Sequence, residues 1–150
     1  VSISRIHKGE VPFSLAAISL CMAMLSGCSQ TLSIDPGPFG ENPYCIHLMS
    51  RIPVELGGAL IRTTDAGAEG VAAWGDPAIV MRCGVIQPPS LEATSQLFTI
   101  NEIDWLPEEL TSGQRFTSMN TPSFVEVNIP EGYDPASGVL VDLAPALATN

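Results

Sequence analysis

From Ile79 to Val85 apolar and polar positions alternate: Ile79, Met81, Cys83 and Val85 fall on one face, Val80, Arg82 and Gly84 on the other. The spacing predicts a strand whose first face is core. Ahead of it, Gly75-Asp76-Pro77 reads as a turn, because Gly relieves steric restriction, Asp bonds nearby backbone, and Pro fixes its own φ while keeping Asp76 out of the helical region. Arg82 lies on the second face, so its guanidinium needs water or a carboxylate.

The same reading along the chain predicts the other elements. Asn42 and Pro43 open a helix with Cys45, Leu48, Met49 and Ile52 at helical spacing, and Pro53 stops it. Ala59–Thr64 is a strand, Asp65–Gly70 a loop, and Gln87–Ser90 a break. Gln96 to Trp105 reads as one strand or two, followed by a turn at Pro107 and a loose helical turn at Glu108-Glu109. Gln114–Ser118 and Phe124–Ile129 form a hairpin, with Val125, Val127 and Ile129 facing the core. Glu126 then shares the face of Arg82 as its partner, with Asp76 and Asp104 as competitors. Val139 to Ala148 closes the domain as a helix through Leu140, Leu143 and Leu147, despite Pro145. The pattern predicts a small α+β fold: a mostly antiparallel sheet with an N-terminal and a C-terminal helix packed on one face.

Before this domain the pattern changes. Arg5, His7 and Lys8 precede an apolar run from Val11 to Leu25 that is short for a membrane span, then small residues and Cys28. Leu25-Ser26-Gly27-Cys28 resembles a bacterial lipobox. That resemblance implies a signal peptide over residues 1–27 and a lipidated Cys28, each buried acyl methylene contributing roughly 0.8 kcal/mol. Val1 in place of Met implies an alternative start codon or a trimmed N-terminus. Residues 28–42, rich in Pro36, Gly37, Pro38 and Gly40, read as a flexible tether, and residues 43–150 as the domain. With Cys21 discarded and Cys28 acylated, Cys45 and Cys83 remain in an oxidising compartment. Both lie on apolar faces, so they are expected to form a disulfide.

The formal charge of −10 argues against nucleic acid and against adhesion to anionic lipid. His47 is the one histidine beyond the signal, which leaves a metal site or a His-assisted nucleophile little to work with. No Gly-rich turn is followed by Lys-Ser/Thr, so no phosphate cradle is present. No cofactor is expected.

Ala73-Trp74-Gly75-Asp76-Pro77, the Arg-Cys-Gly-Val run ending at Val85, Asn101 to Trp105, Phe116-Thr117, Val125-Glu126-Val127 and Leu140-Val141-Asp142-Leu143 together resemble the DUF3515 family. The likeness runs from about Cys45 to Leu147. It implies an actinobacterial envelope lipoprotein on the outer face of the cytoplasmic membrane and brings no known activity. The expected function is a non-enzymatic module that binds another envelope component, such as a protein partner, through a face around Trp74, Asp76, Arg82, Asp104, Trp105 and Glu126. The alternative is a cell-wall hydrolase with Asp76, Asp104 or Glu126 as acid and base. A subunit that steadies a membrane assembly is a third reading.

Overall fold

The computed structural model describes residues 31–65 and 69–148; the signal-like segment and Cys28 lie outside the described residues. Two helices, α1 (Pro43–Met49) and α2 (Ala136–Leu147), accompany eight strands: β1 (Glu55–Leu56), β2 (Ala59–Arg62), β3 (Val71–Trp74), β4 (Ile79–Cys83), β5 (Phe98–Ile100), β6 (Ile103–Leu110), β7 (Gly113–Ser118) and β8 (Val125–Pro130). The strands form one sheet in the order β1-β2-β3-β4-β8-β7-β6-β5, every pair antiparallel.

β4 sits inside the sheet, between β3 and β8, and its alternation sets the core. Ile79, Met81 and Cys83 join Val125, Val127 and Ile129 of β8, Phe116 of β7, Trp105 of β6 and Trp74 of β3 in one buried cluster. Cys45 and Leu48 of α1 and Val139, Leu140, Leu143 and Leu147 of α2 complete it. Each large side chain taken out of water contributes roughly 1.5–3 kcal/mol before chain entropy is set against it. The expected disulfide is present: Cys45 bonds Cys83, tying α1 to β4.

Both helices depend on side chains that satisfy their ends. Asn42 Oδ1 accepts from the Cys45 N–H at 2.9 Å, capping α1 with Pro43 as its first residue. Pro145 does not break α2. Nearby carbonyls at its C-terminal end accept side-chain donors: Arg51 Nη2 bonds Ala146 O and Ala148 O, and Tyr44 Oη bonds Leu147 O.

Four features depart from the sequence expectations. β1 and β3 were not legible: β1 has two residues, and all four residues of β3 are buried, so β3 shows no alternation. Pro107, Glu108 and Glu109 belong to β6 and not to a turn and helical start. β5 pairs β6 only as far as Trp105, leaving an open edge of the kind on which a residue without an N–H is tolerated. Across β7, Glu108 lies opposite Arg115, and Gln114 Nε2 donates to Glu109 Oε1 at 2.7 Å.

The fourth departure concerns residues 32–42, which are laid against the domain. Leu32 bridges Thr64, and Phe39 N donates to Gly84 O at 2.9 Å. Gly37 explains the close fit, since a Cβ there would stand 2.6 Å from Cys83 O. Glycine density, read in the sequence as flexibility, here permits backbone to pack on backbone.

Candidate functional site

The register places Arg82 directly opposite Glu126 and Arg115 opposite Asn128, all on the sheet face turned from the core. Glu126 Oε1 accepts from Arg82 Nη1 and Asn128 Nδ2, each at 3.3 Å. Its Oε2 lies 3.5 Å from Arg115 Nε, which itself donates to Asn128 Oδ1 at 3.0 Å. Glu126 is 9% exposed, so this carboxylate is buried with its charge compensated twice. A cavity of about 300 Å³ lies over the cluster, walled by Pro38, Ile86, Pro88 and Glu108. Glu108, on its wall, accepts from Ser90 Oγ at 2.7 Å.

Beyond β4 the backbone is latched. Gly84 has φ +75°, and a Cβ on it would stand 2.2 Å from the Phe39 carbonyl carbon. Its own N–H donates to Phe124 O at 3.0 Å. Asn42 Nδ2 donates to Phe39 O at 2.7 Å and Ser123 Oγ at 3.0 Å, so residues 32–42 form a strap joined to the segment before β8. These ties, with the disulfide beneath, hold Phe39, Pro43, Tyr44, Ile86, Pro122 and Phe124 around a groove of about 650 Å³. That volume is in the range of specific binding sites. Phe39 and Ile86 stay 59% and 64% exposed, so both offer apolar area at the groove. Burial raises the Tyr44 pKa above the ordinary tyrosine value, opposed by the Arg51 charge and the Thr121 hydroxyl.

The six residues read from sequence as one face do not meet. Trp74 and Trp105 are fully buried on the core face, and Trp74 Nε1 donates to Pro53 O at 2.8 Å. They cannot anchor a partner from that position. Asp76 is on the turn after β3, its side chain 89% exposed and 3.7 Å from Arg62 Nη1. Asp104 is three strands from Arg82 and accepts from Thr99 Oγ1 at 2.6 Å. Only Arg82 and Glu126 come together, joined by Arg115. The groove residues were missed, although Phe39 and Ile86 carried a signal: both are large apolar side chains in turn-rich segments where no period accounts for them.

The profile of the family described as "Protein of unknown function (DUF3515)" matches residues 12–150. No curated protein and no solved structure matches the chain. With nearly its whole length matched, the chain belongs to the DUF3515 family.

Proposed function

We propose that this DUF3515 protein is a cell-envelope lipoprotein, held on the outer face of the cytoplasmic membrane by a lipidated Cys28, whose domain binds another envelope protein without catalysing a reaction. The groove beside Phe39 and Ile86 carries the binding half of this reading. It suits an extended apolar segment of the partner: aromatic and proline side chains supply contact area, and Gln87 offers a polar group at the rim. Both helices are taken to cover the face of Trp74 and Val127. Support comes from the Cys45–Cys83 bond and from the α2 leucines sharing the same buried cluster. The Arg82 face and the groove are then left for the strap, solvent and the partner.

The carboxylates argue against the hydrolase alternative. An acid and base pair needs two carboxyls facing each other across an open cleft. Glu126 is instead clamped by two guanidiniums, Asp76 projects from a turn, and Asp104 is bonded to Thr99.

The test uses full-length protein in native membranes with a photo-crosslinking residue at Ile86, and at the exposed Thr111 as control. One dominant protein adduct from Ile86, absent from Thr111 and lost in Phe39→Asp, is expected. The same adducts from both positions would overturn the site. Metabolic labelling with an alkynyl fatty acid checks the anchor separately: label lost in Cys28→Ala is expected, and label retained would overturn it.

A further inference from the structure

We propose that the sheet edge formed by β1, β2 and Leu32 lies on the membrane surface, with Val54, Leu60 and Ile61 against the lipid. The inference rests on Cys28 as the lipid anchor and goes further, assigning the face that the anchor holds down.

Leu32 is fixed to the domain. Its N–H donates to Thr63 O at 3.1 Å, its carbonyl accepts from Asp65 N at 3.2 Å, and Ile34 N donates to Asp65 Oδ1 at 3.2 Å. These bonds lie on the outer side of β2. Along a strand, backbone groups alternate in direction. Leu60 O accepts from Gly75 N toward β3, whereas Ile61 N donates outward to Val54 O. Thr63 points the same way as Ile61, so Leu32 continues the row that Val54 begins, about 7 Å farther along.

Two consequences follow for the anchor. The bridge between Leu32 and Thr64 is parallel, so the chain enters Leu32 from the side of Val54. Three residues separate Cys28 from Leu32, and the four Cα-to-Cα steps span at most about 14 Å when fully extended. A lipid on Cys28 therefore holds this edge close to the headgroups, with little slack for the domain to tumble.

The side chains at that edge suit the position. Val54 is 69% exposed, Leu60 64% and Ile61 42%. Ile61 lies opposite Trp74 in register and shares its face, while Leu60 is on the other, so apolar groups flank both sides of the edge. Glu55, Asp65 and Asp76 outnumber Arg51 and Arg62 nearby, and Arg62 is engaged with Gly75 O and Asp76. The contact is thus apolar and needs no anionic lipid. The groove opens past the far end of β4, two strands from β2, and stays available to a partner.

The experiment reconstitutes the full-length lipidated protein in phosphatidylcholine vesicles, with an environment-sensitive fluorophore on Leu60→Cys, on Val54→Cys or on Thr111→Cys. Mass spectrometry records whether Cys28 carries lipid. Nitroxide-labelled lipid is expected to quench the Leu60 and Val54 labels several-fold more than the Thr111 label, equally at low and high salt. Equal quenching at all three positions, with lipid on Cys28 confirmed, would overturn the edge assignment and leave the anchor standing. An unmodified Cys28 would overturn the anchor reading and this inference with it.

Discussion

Gly84→Ala tests whether the strap is latched by backbone contact. The residue has φ +75°, and Gly58, on the β1–β2 turn, has φ +78° with nothing within 4 Å of an added methyl. An alanine in this conformation costs roughly 1 kcal/mol at either site. At Gly84 the methyl also meets Phe39 and Gly40 backbone at 2.2–2.5 Å, so the strap must move. Its bond from Phe39 N to Gly84 O, worth roughly 1 kcal/mol, is then lost, and burying the freed groups adds to the cost. Gly84→Ala should therefore destabilise by about 2–4 kcal/mol and Gly58→Ala by about 1 kcal/mol. In urea unfolding with the disulfide intact, the Gly84→Ala midpoint should fall lower than that of Gly58→Ala by roughly 1 M, for slopes of about 1–3 kcal/mol/M. Crosslinking from Ile86 should weaken in Gly84→Ala alone. Equal midpoints for the two variants would refute the latch, because their conformational penalties are matched.

Three further outcomes are expected. Glu126→Ala strands two guanidiniums that keep 28% and 35% of their side-chain exposure, so it should cost about 1–3 kcal/mol in urea unfolding, below the figure for a fully buried pair. Arg82→Ala should cost less, since Glu126 retains Arg115. Reducing the Cys45–Cys83 bond opens a loop with sequence separation 38 and should lower stability by about 4 kcal/mol in the chain-entropy model; thiol titration of the denatured domain should find these two cysteines free only after reduction. Tyr44 has its folded pKa raised by burial, so its contribution is complete below the unfolded value near 10 and is lost as pH rises through the folded one. Absorbance at 295 nm should show this tyrosine ionising late, and Tyr44→Phe should flatten the alkaline loss of stability.

Legibility followed the number of residues carrying each signal. Three alternating positions in β4 and three in β8 were enough to set faces, and those faces put Glu126 among the candidate partners of Arg82 and both remaining cysteines on the core side. β3 escaped because burial on both faces erases alternation, and Glu108-Glu109 misled because acidic pairs suit helix starts and solvent-facing strand positions alike. Trp74 and Trp105 misled differently. A tryptophan serves equally as an interface anchor or as core, and only the packing around it decides which.

The sequence by itself determined the faces of β4 and β8, the start of α1 and the disulfide, and it narrowed the partner of Arg82 to three carboxylates, because each follows from local period or from one charge seeking its complement. Tertiary structure decided the rest. It added Arg115 to the ion pair, drew residues 32–42 onto the domain, and raised Phe39 and Ile86 around a groove between segments far apart in the chain. Those features depend on where separate backbones approach within contact distance. A glycine-rich stretch is compatible with both a loose tether and a close-packed strap, and the carbonyls that meet Gly37 and the backbone that crosses Gly84 select the strap.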